Sequence, residues 1–244
     1  MKLIPILFST PMVQAEREGR KTMTRRTRGL DRINISPDDY DFWQFRIDEK
    51  GHMRAFFSCG TSDNEDYAIV KCPYGQPGDV LWVRETFRKY WLTHPDTGEP
   101  NLEHWNTEYR ADNHEQIPMI DGDGFGIYNR DGSEKMIPWK PGIHMPYEAC
   151  RTWLKIKSIR VERLRDIRRN DAIDEGIQLL LQSGAQLLEN GPLYRDYSAP
   201  PELFNKGVKS IQSFKSLWQS INGEDSWTAN PWVWVVEFER TEKP

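Results

Sequence analysis

The segment WLKIKSIRVERL, Trp153 to Leu164, alternates apolar with basic or polar residues. A side-chain period of two sustained this long dictates a strand with one buried face, and it puts Lys155, Lys157 and Arg160 on or beside the other. Two further segments have strand character: Leu3 to Phe8, which reads as buried, and the β-favouring WVWVVEF from Trp232 to Phe238. Helical patterns do not alternate regularly with these strands. The expected fold is therefore α+β, built around a mixed sheet or small barrel rather than a doubly wound sheet.

Ser9-Thr10-Pro11 is a helix start, because the Thr10 hydroxyl can cap and the missing N–H of Pro11 is no loss in a first turn. The helix is expected to run through MVQAERE and stop at Gly19, which leaves EGRKTMTRR, Glu18 to Arg26, in a tight loop just beyond it. Pro77-Gly78-Asp79 reads as a turn before the strand VLWVRETF. Asn170 is placed to cap a short helix, DAIDEG, with Glu175 in its last turn. Ser210 begins the helix IQSFKSLWQSI, with Ile211, Phe214, Leu217, Trp218 and Ile221 at three-four spacing. Residues 27–76, 89–138 and 178–209 lack clear periodicity and are expected as long, loop-rich insertions in a single domain spanning 1–244, the first of them with hairpin content.

The net charge of −4 conceals an asymmetry. Residues 1–30 carry seven Lys and Arg against two acids, and residues 151–169 carry eight against two. If the fold joins these stretches, they make one basic surface suited to a phosphate-bearing ligand; otherwise they are two solvated faces. No apolar run reaches the roughly 18 residues of a membrane span, and the run from Leu3 to Phe8 is short for a secretory signal. A cytoplasmic protein without membrane association is expected. Cys59, Cys72 and Cys150 are odd in number and far apart, which fits reduced thiols.

The five histidines show no His-x-x-x-His and the cysteines no Cys-x-x-Cys. Cys59, Cys72, His144 and Cys150 are the one set whose convergence would make a zinc site, and no metal or other cofactor is expected. There is no P-loop or Gly-x-Gly-x-x-Gly, and Asp121-Gly-Asp-Gly reads as a turn. Of the ten tryptophans, Trp82, Trp153, Trp218 and Trp234 fall at core positions. Trp91, Trp105 and Trp139 lie in polar stretches, where an indole either packs an insertion onto the body or stacks on a base.

EGRKTMTRR carries the chemistry. A threonine hydroxyl is a poor nucleophile without a base in reach, and a lysine whose pKa is lowered by burial or by neighbouring cations can be that base. Lys21 and Thr24 are such a pair, with Arg20, Arg25 and Arg26 beside them. A carboxylate must then orient the lysine or pass a proton to the leaving group, for which Glu85 and Glu175 are the candidates. A phosphate-binding loop is an equal reading of the same residues.

At these positions the chain resembles the ASCH domain family, PUA-like β-barrels linked to RNA. The segments that carry the resemblance are GRKTMTRR (19–26), PGDVLWV (77–83), LRDIRRNDAIDEG (164–176) and VVEF (235–238). They are similar to the small bacterial amidohydrolases that deacetylate 4-acetylcytidine and to longer phage-encoded ASCH proteins. The resemblance implies a PUA-like mixed barrel with flanking helices, in which Lys21 and Thr24 match the family's catalytic loop and Glu175 its helix-borne acid. The implied activity is hydrolysis of an acylated nucleoside or nucleobase. Thr24 would attack, Lys21 would remove its proton, Glu175 would assist and Arg26 or a backbone N–H would hold the oxyanion. Arg20, Arg25, Lys155, Lys157 and Arg160 would bind phosphate or single-stranded RNA. A non-catalytic RNA or modified-base binding module and a single-strand ribonuclease are the alternatives.

Overall fold

The structure is a computed structural model, and it describes residues 1–59, 66–93, 100–112, 117–119, 127, 129–130, 132–200 and 207–244. His94, His114 and the Asp121-Gly-Asp-Gly segment lie outside the described residues, as do the side chains of Trp91, His104 and Trp105. The class is α+β. Five strands form the main sheet: β1 (Leu3–Leu7), β6 (Val80–Arg84), β9 (Trp153–Arg163), β10 (Trp232–Thr241) and β2 (Met23–Arg26), in that spatial order. The β1–β6 pair is parallel and the others are antiparallel. A three-stranded meander, β3 (Tyr40–Ile47), β4 (Met53–Cys59) and β5 (Asp66–Lys71), makes a second sheet, and β7 (Phe87–Thr93) pairs with β8 (Pro100–Tyr109). The helices are α1 (Thr10–Arg17), α2 (Arg169–Asp174), α3 (Gly184–Asn190) and α4 (Ser210–Asn222). Among the described residues no helix is long and apolar enough to cross a membrane.

Why WVWVVEF lacks alternation is clear from its place. Trp232, Trp234, Val236 and Phe238 of β10 face a core shared with the second sheet, where Trp234 stacks on Phe45 (ring centroids 6.2 Å) and Trp232 meets Phe57 edge-on (5.4 Å). Val233 and Val235 face the opposite way, onto Ala172 of α2 and Phe214 and Trp218 of α4. A strand covered on both faces has no polar side to show. In β9 a register shift opposite Glu237 and Phe238 moves the inward set from Leu154 and Ile156 to Ile159 and Val161. That bulge keeps an eleven-residue strand buried on one side, with Lys155 and Lys157 exposed.

Several expectations are corrected. The main sheet does not close into a barrel: among the described residues no ladder joins β1 to β2. α1 connects these two edges, and side chains span them instead. Arg26 Nη2 donates to the Leu7 carbonyl at 3.1 Å, and the guanidinium lies 5.9 Å from the centroid of the Phe8 ring. β1 is an edge strand with Leu3 and Leu7 exposed and Ile6 buried. Residues 27–76 are no appendage, since Leu30, Ile33, Met53, Ala55 and Phe57 belong to the main core. Their alternation was hidden by a bulge at Trp43, where the β3–β4 register skips from Phe42 to Gln44. The N-cap positions are Ser9 and Arg168 rather than Thr10 and Asn170. On α4, Phe214 and Trp218 are buried as expected, but Ile211 and Ile221 are exposed.

Candidate functional site

The chain leaves α1 at Gly19, whose φ of +74° lets it double back. The N–H groups of Arg20 and Lys21 then both donate to the Ala15 carbonyl, at 2.9 and 3.0 Å. Lys21 forms an isolated antiparallel bridge with Glu175, and Thr22 N–H donates to the Asp174 carbonyl at 2.9 Å. The ends of α1 and α2 thus clamp this segment. Thr24, Arg25 and Arg26 are not in the loop expected from EGRKTMTRR; they lie on β2, paired with β10.

Lys21 and Glu175, remote in sequence, meet here. Lys21 Nζ donates to the Glu175 carboxylate Oε2 at 3.0 Å, to the Glu175 carbonyl at 2.9 Å and to the Met23 carbonyl at 2.7 Å. These acceptors use all three protons of the ammonium. Burial pushes the Lys21 pKa below the ordinary lysine value, with the nearby Arg26 and Arg25 charges acting the same way and Glu175 opposing. Arg25 is fully buried. Its Nη2 donates to Glu162 at 2.5 Å and Asp171 at 2.8 Å, its Nη1 to Glu175 at 3.2 Å, and the guanidinium lies 5.7 Å from the Phe214 ring centroid.

Lys21 and Glu175 border a cavity of about 150 Å³ whose other walls include Arg26, Arg28 and the α4 residues Leu217, Trp218 and Ile221. Arg26 and Arg28 form no ion pair with an acid among the described residues. A more open cleft of about 640 Å³ runs on past Glu175, Gly176 and Ile221 to Arg20 and Tyr197. The cavity and the cleft share Met12, Glu175, Leu217 and Ile221, and both have arginines and the apolar α4 face in their walls.

Thr24 is placed differently. It is fully buried, its Oγ1 has no hydrogen-bond partner among the described residues, and it does not line the cavity. Arg20 is tied to Glu18 and to the Gly176 carbonyl. Arg160 pairs with Glu162, Asp171 and Glu237 in a groove of two arginines and four acids. The expected common basic face is therefore largely neutralised inside the protein. Lys155 and Lys157 remain exposed on β9. Glu85 does not join Lys21; it is buried in a bidentate pair with Arg151, at 2.8 and 2.9 Å. Trp139 is covered by Arg88 and Arg110 rather than open to a base. Among the described residues no group of three His, Cys, Asp or Glu side chains is arranged to hold a metal, and the three cysteines are free.

Sequence reasoning did not single out Arg28, Glu162 or Asp171. The signal for Glu162 was its period-two spacing from Arg160, which puts both on one face of β9. Compared with protein-family models, with curated proteins and with solved structures, the chain has no significant match in any of the three.

Two predictions follow from this packing. Gly176 has φ +89°, and a Cβ there would stand 2.8 Å from Lys21 Cβ and 3.0 Å from Ala15 Cβ. Gly176→Ala should destabilise the protein by about 2–4 kcal/mol, combining strain at positive φ with overpacking, and should displace Lys21; chemical denaturation measures the first. The second concerns pH. Between the lowered folded pKa of Lys21 and the ordinary 10.5, the unfolded chain binds the extra proton, so this residue makes stability rise with pH across that window. The urea midpoint of Lys21→Met should lack that rise when compared with the parent at matched pH.

Proposed function

We propose that this protein is an amidohydrolase acting on an acylated, 4-acetylcytidine-like nucleoside or nucleobase, within a divergent ASCH, PUA-like framework. The observation that carries the reading is the Lys21–Glu175 pair: a fully buried lysine with a depressed pKa, held at 3.0 Å by a carboxylate, at the wall of a cavity. Burial shifts Lys21 toward the neutral amine, which is what a base for a hydroxyl needs. The apolar α4 wall suits a base ring, and Arg26 and Arg28 suit an anion or a developing oxyanion.

In this reading the neutral Lys21 amine takes the Thr24 proton as Oγ1 bonds to the acyl carbon. Collapse of the tetrahedral adduct breaks the C–N bond, and the departing amine takes the proton from Lys21. Water then cleaves the acyl-threonine by the same exchange, giving a carboxylic acid and the free amine. An unpartnered buried hydroxyl costs about 1–3 kcal/mol without structural return, and the nucleophile role gives Thr24 Oγ1 a use. The reading requires substrate to open the wall between the cavity and Thr24.

That same burial favours a second reading, a non-catalytic module in which Arg26 and Arg28 hold phosphate and Lys21 is structural. Incubation with 4-acetylcytidine, followed by chromatography for cytidine, separates the two. Release of cytidine that is lost in Lys21→Met supports the hydrolase. Binding without release, weakened by Arg26→Gln and Arg28→Gln, supports the module, and labelled single-stranded RNA in parallel tests for cleavage.

A further inference from the structure

The outward face of the second sheet carries a pattern that the cavity does not use. Read across the registers of β3, β4 and β5, Arg46 stands opposite Arg54 and Arg54 opposite Lys71, a row of three cations on neighbouring strands. The next outward row is Gln44, Phe56 and Ile69, flanked by Trp43 and Tyr67. Trp43 is 53% exposed, Tyr67 44% and Ile69 52%, so each shows about half of its surface to solvent. Trp43 and Tyr67 lie 5.4 Å apart between ring centroids, and the Arg46 guanidinium sits 5.6 Å from the Trp43 ring and 5.1 Å from that of Phe56.

This arrangement is not explained by the fold. Like charges directly opposite each other across strands are destabilising. Arg54 is compensated by Asp48, at 2.8 Å, but Arg46 and Lys71 form no ion pair among the described residues. An anionic partner would relieve the row, and exposed aromatic rings next to unpaired cations are the chemistry that holds phosphate with one element and stacks bases with the other. A protein partner with an apolar strand would leave the cations uncompensated.

We propose that this sheet face is a binding platform for single-stranded nucleic acid, with Trp43 and Tyr67 stacking bases and Arg46 and Lys71 meeting phosphates. It lies on residues outside the cavity and does not depend on the hydrolase reading. The test is fluorescence anisotropy of short labelled uridine and thymidine homopolymers, alone and annealed into duplexes, with the full chain at low salt. The parent should bind single strands in preference to duplex. Trp43→Ala together with Tyr67→Ala should weaken binding by roughly tenfold or more per ring removed. Arg46→Gln together with Lys71→Gln should reduce the slope of log affinity against log salt by about 1.4, two single-strand phosphate contacts; this pair decides the matter if the alanine variant melts early. Preference for uridine over thymidine strands would assign the platform to RNA, and equal affinity to either strand chemistry; both support it. The proposal is overturned if the parent binds neither strand, if binding is unchanged in both double variants, or if it is lost in Arg26→Gln and Arg28→Gln instead. It is also overturned if sedimentation shows a dimer that Trp43→Ala dissolves, which would make the face a contact between copies of this chain.

Discussion

Arg25→Met should destabilise the protein by about 3–5 kcal/mol, a large part of the ~5–15 kcal/mol that keeps a domain folded. Arg25 has no exposed side-chain surface and stands among Glu162, Asp171 and Glu175. Removing it leaves those carboxylates to Arg160 and Lys21 alone, so negative charge is buried without compensation. The methionine stem replaces the packing against Phe214 but none of the charge-assisted hydrogen bonds. Arg25→Lys should recover only a fraction, because one ammonium cannot reproduce a planar fork that meets three acids. Urea unfolding of the three proteins at neutral pH checks this, and a loss under about 1 kcal/mol would show that the cluster is far better hydrated than its burial indicates.

That cluster also decides how the two basic stretches are to be understood. Counted along the chain, 1–30 and 151–169 are cationic, and the fold does bring them together, since β2 and β9 both pair with β10. What counting omits is the acids that arrive with them. Glu162 lies inside the second stretch, Asp171 and Glu175 follow it directly, and Glu237 comes from β10. A charge total is additive along the sequence, whereas compensation depends on which side chains share a face. The cations that remain available at the cavity are Arg26 and Arg28, the two whose neighbours on β2 and in the following turn bring no carboxylate.

The same distinction runs through the rest of the chain. The strands at 153–163 and 232–241 were legible because each meets one constant environment over its length, apart from a single bulge. The meander at 40–71 was legible only as hairpin content without strand bounds, because the bulge at Trp43 resets the side-chain period in the middle of β3 and the aromatic residues occupy both faces. The stripe on α4 was legible as a helix signal but not as a burial map. Phe214 and Trp218 meet the core and also wall the cavity, where Leu217 and Ile221 join them. A cavity wall and a core draw on the same apolar residues, so periodicity cannot divide them. The pairing of Lys21 with Glu175 rested on resemblance, since nothing in local pattern relates residues on α2 and beyond α1. The placement of Thr24 on a buried strand was hidden for the converse reason: MTRR, with two arginines, has no apolar alternation, and its burial comes from β10 and a salt-bridge cluster.

In the hydrolase reading, Lys21→Met should lower turnover of 4-acetylcytidine by roughly 10²–10⁴-fold, the contribution of general-base assistance to a bound nucleophile. A stability loss accompanies it, because Glu175 and the Met23 carbonyl lose their donor inside the protein. Turnover must therefore be measured on the fraction that remains folded. Thr24→Ser and Thr24→Ala separate the roles without removing a charge. If Thr24 is the nucleophile, serine keeps measurable activity and alanine reduces it as far as Lys21→Met does, with substrate affinity little changed, because the hydroxyl acts chiefly in the transition state. In the parent, kcat should climb with pH along a limb centred below 10.5, reporting the burial-lowered Lys21 amine. Activity that survives in Thr24→Ala but not in Lys21→Met would replace the threonine with a water in the cavity, activated by the same lysine. Activity that survives both would remove Lys21 and Thr24 from the chemistry altogether and place the reaction elsewhere in the protein.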